Sequence, residues 1–148
     1  MLACILAGCG GAAHSNWQQV HGRNFRFQAP AGWKVAGTAA SSGPVNRVQV
    51  NAFRLVHPYK HAQQAAVARE LDGVAARLAQ QLKGRLVSRR TVAVGRLDAR
   101  AYAIDIGSVE EEITFVLQGK REYELLCRRA KGGDDTACRK LVASFRAG

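Results

Sequence analysis

Residues 86–128, LVSRRTVAVGRLDARAYAIDIGSVEEEITFVLQGKREYELLCR, decide the fold. Apolar side chains alternate with polar ones in four runs, about Leu86–Val94, Leu97–Ile106, Glu110–Gln118 and Arg121–Arg128, with no helical period between them. The breaks are short and contain Gly95, Gly107-Ser108 and Gly119-Lys120. Loops of that length close antiparallel hairpins and are too short for the crossover that parallel strands need. An antiparallel meander is therefore predicted. Its core faces hold Val92 and Val94, then Tyr102, Ile104 and Ile106, then Ile113, Phe115 and Leu117, and finally Tyr123, Leu125 and Cys127.

Upstream of the meander the period changes. Val67, Leu71, Val74, Ala75, Leu78 and Leu82 recur at three- and four-residue steps, which predicts a long amphipathic helix over about Ala62–Lys83 lying on the sheet. Gly73 inside it costs up to about 1 kcal/mol against alanine, which a helix of this length bears, and Gly84 marks its end. Val45–Val56 alternates again, with Val48, Val50 and Ala52 on one face and Arg47, Gln49 and Asn51 on the other, as a half-buried strand does. Phe25–Ala29 followed by Pro30-Ala31-Gly32-Trp33 reads as a first strand, a tight turn and a return, with Trp33 covering the core or an edge. Downstream, Asp134-Asp135-Thr136 offers cap oxygens to a short last helix over about Ala137–Arg146, with Cys138, Leu141, Val142 and Phe145 on one face. The pattern is α+β: an antiparallel sheet flanked by helices, with a long mid-chain helix and a short C-terminal one.

With 47% hydrophobic residues in 148, the chain has the composition of one folded domain. The start of the sequence resembles a bacterial lipobox: Leu6-Ala7-Gly8-Cys9 ends an apolar N-terminus. The resemblance implies that residues 1–8 are removed as a signal peptide and that Cys9 carries a lipid. The eight residues hold no Lys or Arg, so they would be only part of a signal, whose n-region is basic. A ragged apolar start on a cytosolic protein is the alternative; a transmembrane helix is not, since spanning needs ~20 apolar residues. Residues 9–22 are expected to form a flexible tether, leaving 23–148 as the single folded domain. Export permits oxidation of thiols. Once Cys4 leaves with the signal and Cys9 is acylated, Cys127 and Cys138 remain as one pair. Cys127 falls on the apolar side of the last strand and Cys138 on the apolar side of the helix folding back over it, which favours a disulfide over two buried thiols.

Candidate chemistry is sparse. The formal charge of +11 favours anionic partners. A nucleic acid is not expected, because the basic residues are dispersed and no helix-turn-helix, zinc-finger or aromatic strand motif accompanies them. Arg89, Arg90, Arg128, Arg129, Arg139 and Lys140, together with Arg96, Arg100 and Arg121, are candidates for a positive surface; a dispersed solvated charge is the plainer alternative. His57 and His61 have a spacing that can hold a metal on a helix, but Pro58 pushes His57 into extended backbone, so no metal site is expected. Glu110-Glu111-Glu112 alternates faces and reads as a solvated strand start. No nucleophile elbow, phosphate loop or dinucleotide fingerprint is present.

Residues 24–146 resemble the PsbP-like superfamily. The resemblance is carried by Phe25-Arg26-Phe27-Gln28-Ala29-Pro30-Ala31-Gly32-Trp33, the long amphipathic helix, and the ending Tyr123-Glu124-Leu125-Leu126-Cys127 through Ala137-Cys138 to Phe145-Arg146. It implies an α/β/α sandwich and a binding or assembly role without a cofactor. The expectation is an extracytoplasmic lipoprotein, a monomer held to the membrane by its lipid, contacting an unknown protein or anionic envelope component. The alternative is an enzyme of hydrolase type whose site no motif reveals.

Overall fold

The computed structural model describes residues 15–148; Cys4, Cys9 and the rest of the lipobox lie outside them. Among the described residues ten strands and two α-helices follow one another as β1 (Trp17–Gly22), β2 (Phe25–Pro30), β3 (Lys34–Ala36), β4 (Ala39–Ser42), β5 (Asn46–Arg54), α1 (Gln64–Gln81), β6 (Arg85–Val94), β7 (Leu97–Ile106), β8 (Val109–Gln118), β9 (Arg121–Ala130), α2 (Thr136–Ser144) and β10 (Arg146–Ala147), with one turn of 3-10 helix at His61–Gln63 leading into α1. The meander is present as β6 to β9, and β5 joins it antiparallel alongside β9. With β4 and β3 beyond β5, the main sheet has seven strands in the order β3-β4-β5-β9-β8-β7-β6. Each meander hairpin turns through two residues, the first a glycine with φ of 61°, 73° or 53°, a backbone region closed to most L residues.

The sheet is covered on both faces, and strand alternation sorts the core accordingly. α1 lies on one face, where Leu71, Ala75 and Ala79 pack on Tyr102, Ile104, Ile113 and Phe115. The other face carries Val48, Val50, Ala99, Val116, Tyr123, Leu125 and Cys127, closed over by β2 through Phe25 and Phe27 and by α2 through Cys138, Leu141 and Phe145. Strand β8 is therefore buried on both sides from Ile113 to Leu117. Gly84, between α1 and β6, sits where a Cβ would come within 2.7 Å of the Asp105 carbonyl oxygen, so the helix can return this closely to the sheet only without a side chain.

Four expectations are corrected. Residues 17–22 are not tether but strand β1, paired with β2 at every position from Trp17↔Pro30 to Gly22↔Phe25, with Val20 in the core. The segment after Trp33 does not return along β2; β3 pairs with β4 in the main sheet. The last helix stops at Ser144, and Arg146–Ala147 pairs with Arg26–Phe25 as β10, completing a small sheet in the order β1-β2-β10. Glu111 is not solvated. It is only 2% exposed, because its side chain shares the α1 face with Ile113 and Phe115.

Candidate functional site

The two late cysteines meet as expected: Cys127 on β9 and Cys138 on α2 form a disulfide with Cα atoms 5.4 Å apart. At 3% and 2% exposure they are part of the core beneath α2. Asp134 Oδ1 accepts hydrogen bonds from the Thr136 backbone N–H at 2.9 Å and its hydroxyl at 2.6 Å, fixing the turn into the helix.

The basic residues singled out by sequence are not brought to one place. Arg128 donates from Nε to the buried Glu111 carboxylate at 2.8 Å. Arg129 pairs with Glu110 at 2.8 Å and lies 3.6 Å from Glu112. Thus Glu110 and Glu111, opposite Arg129 and Arg128 across the β8–β9 ladder, and Glu112, diagonal to Arg129, largely neutralise the two arginines. Arg139 pairs with Asp135 at 3.0 Å, and the Lys140 ammonium sits 4.9 Å from the centre of the Trp17 ring. Arg89 and Arg90 are neighbours on β6 whose side chains leave opposite faces of the sheet. Arg89 contributes charge near Asp72, whereas Arg90 and Arg139 line a groove between the sheet and α2. Arg100 is bound to Asp72 at 3.0 Å.

Uncompensated charge is concentrated elsewhere. At the end of the molecule where the β1–β2 turn, the end of β5 and the β8–β9 turn converge, a cleft of about 870 Å3 is lined by Arg23, Arg54, Lys120 and Arg121. No Asp or Glu lines it, and none of these four is in an ion pair among the described residues. Arg54 and Arg121 are directly opposed across the β5–β9 ladder, a like-charge pairing that destabilises a sheet. Sequence reasoning reached only Arg121 of the four, because two turns and two strand ends distant in sequence supply them and only the folded sheets unite them.

On the α1 face, carboxylates hold polar clusters rather than a reaction centre. Asp98 accepts from the Tyr59 hydroxyl at 2.6 Å and lies 2.7 Å from His61 Nδ1. Burial raises the Asp98 carboxyl, but the bonds from Tyr59 and His61 and the His61 charge outweigh it, so its pKa is lowered; burial and Asp98 together push the Tyr59 phenol up. His57 is not bonded to Asp98; it lines a cleft of about 400 Å3 beside α1 that Tyr59 also lines. Among the described residues no group of three or more His, Cys, Asp or Glu is placed to hold a metal, and no helix is long and apolar enough to cross a membrane. The cleft beside α1 also holds Glu122, raised first by burial and then by the charge of Glu124.

An antiparallel seven-stranded sheet with a long helix on one face and a short helix and small sheet on the other defines a PsbP-like α+β fold. The solution structure of cyanobacterial PsbP (CyanoP) from Synechocystis matches 97% of this chain and 99% of its own, with a TM-score of 0.61 and 12% identity. A crystal structure from Bacteroides thetaiotaomicron matches 90% of this chain with a TM-score of 0.51 and 14% identity; the chain spans only 42% of that protein. At these identities the likeness is one of fold. No family model and no curated protein matches the sequence.

Proposed function

We propose that this protein is an extracytoplasmic binding module, held to the membrane by a lipid on Cys9, that contacts an anionic protein or envelope component and carries no cofactor. The observation that carries the compartment is the Cys127–Cys138 disulfide, since such bonds persist outside the reducing cytosol. The PsbP-like fold and the cleft of four unpaired cations support a binding role over chemistry. The anchor is tested by producing the chain in a bacterium behind a basic n-region and following incorporation of labelled fatty acid. Label is expected in the wild type and absent from Cys9→Ala; equal labelling of the two overturns the lipoprotein reading.

A second reading, an enzyme of hydrolase type, is favoured by one observation: Glu122, with its raised pKa, faces the cleft beside α1 that also holds His57 and Glu70. It requires a turnover that Glu122→Gln abolishes while the fold stays intact.

A further inference from the structure

We infer that the basic cleft is a docking groove for an extended acidic peptide segment, which adds as a strand to the open edge of β5. The inference deepens the binding-module reading and rests on it; the lipid anchor enters only in setting the bilayer aside as the occupant.

The backbone supplies the first half of the argument. β5 runs to Arg54, yet β4 covers its outer edge only as far as Ala39↔Gln49. One further bond, from Val50 N–H to the Thr38 carbonyl at 3.1 Å, closes the covered part. In a strand, N–H and C=O groups of alternate residues point to the same side. Val50 thus fixes the direction: the N–H groups of Ala52 and Arg54 and the C=O of Ala52 point outward. Asn51 and Phe53 point inward to the β9 ladder. No hydrogen bond within the described residues satisfies the outward groups of Ala52 and Arg54. Both residues are exposed and line the cleft. An open edge with this geometry is a template for another strand.

The side chains supply the second half. Arg23, Arg54, Lys120 and Arg121 surround that edge with positive charge and no carboxylate. The opposed pair Arg54 and Arg121 repels itself until an anion lies between its members. The same charges disfavour a second copy of this chain at the edge, since it would bring arginine against arginine. Residues 1–14 contain no Asp or Glu and so cannot be the acidic strand. Nor does the bilayer fit. The preceding chain joins at Trp17, opposite Pro30, whereas the cleft lies at Asn24, the other end of the β1–β2 hairpin. Six residues of strand separate the two by about 20 Å.

The test is fluorescence anisotropy with the purified full-length chain and three labelled octapeptides. One alternates Glu with Val, one alternates Lys with Val, and one keeps the glutamates but has two valines replaced by proline. The Glu–Val peptide is expected to bind, more weakly at higher salt; the Lys–Val peptide is not. The proline peptide should bind at least about tenfold more weakly, because it keeps the charge and loses the ladder. The variant Arg54→Ser/Lys120→Ser/Arg121→Ser should lose about tenfold or more, whereas Arg139→Ser should bind as wild type does. Equal affinity for the Glu–Val and proline peptides overturns strand addition, and no binding of the Glu–Val peptide overturns the inference as a whole. Phosphatidylglycerol vesicles form the separating arm. Salt-sensitive vesicle binding that depends on Arg54, without peptide binding, overturns the inference while leaving an anionic binding module standing. Binding to neither overturns both.

Discussion

Reducing the Cys127–Cys138 bond should lower stability by an amount the structure fixes in advance. The bond closes a loop of 11 residues' separation, comprising the end of β9, the Lys131–Asp135 turn and the start of α2. In the chain-entropy account such a loop stabilises the folded state by about 2.8 kcal/mol at 25 °C. For a domain of this size that corresponds to a fall in Tm of roughly 8–14 °C. The native state itself should change little, because Leu141 and Phe145 continue to hold α2 against β2 and β9. The assay is urea unfolding followed by circular dichroism, on oxidised protein and on protein fully reduced under denaturing conditions and refolded in reductant. Reduced wild type keeps both sulfurs in place, whereas Cys127→Ala/Cys138→Ala also empties two core positions and should lose a further ~1–2 kcal/mol. Equal midpoints for oxidised and reduced protein would refute the reasoning. So would a reduced protein that has lost its α2 signal in the absence of urea, since the bond would then create the native packing instead of restricting the unfolded chain.

Two other outcomes follow from the core and its polar rim. Phe145→Ala removes a ring whose centre lies 5.1 Å from that of Tyr123 and 6.3 Å from that of Phe25, and should cost about 3–5 kcal/mol in urea unfolding; a loss under about 1 kcal/mol would mean that α2 is not seated as described. Asp72→Asn tests a pH dependence. Burial raises the Asp72 carboxyl, but hydrogen bonds from Tyr102 at 2.6 Å and from Arg100, with the charges of Arg100 and Arg89, carry its pKa below the ordinary value. Its stabilisation, about 1–2 kcal/mol, is therefore full above the unfolded pKa near 3.9 and is lost as pH falls through the lower folded value. Wild type and Asp72→Asn should differ at pH 7 and converge between about pH 5 and pH 2; a constant difference across that range would remove the assignment.

The meander, the long helix and the disulfide were legible because each rests on a repeated local signal. Alternation names the faces of a strand, and glycine pairs name the hairpins. What escaped was written in pairing rather than in period. β1 contributes only Val20 to the core between Gln18, Gln19 and His21, so its sequence looks like a polar linker. Only the partner strand makes it a strand. Its Gln18 amide then finds the carbonyls of Pro30 and Trp33 at 2.8 and 2.7 Å. Glu111 reads as solvated for a related reason: both faces of β8 are covered, so alternation there separates two interiors rather than an interior from water. Charge was legible as a quantity and not as a location. Arg128 and Arg129 find carboxylates across the β8–β9 ladder, whereas Arg23, Arg54 and Lys120, unremarkable in the sequence, are left without an ion pair where two turns and the end of β5 converge.

The small sheet sets a timetable for the chain. Its middle strand, β2, lies near the beginning of the sequence, and one of its two neighbours, β10, occupies Arg146–Ala147. The Gly148 N–H reaches back to the Asn24 carbonyl at 2.8 Å. Chains emerge from synthesis N-terminus first, at about 5–20 residues per second. Until residues 145–147 are free, β2 has an unsatisfied edge and Phe25 lacks the Phe145 ring that packs on it. Completion of this sheet therefore waits for residues 145–148, so a nascent or half-translocated chain that has not freed them lacks the third strand, and deleting residues 146–148 would leave the first-made strands without the edge that finishes them.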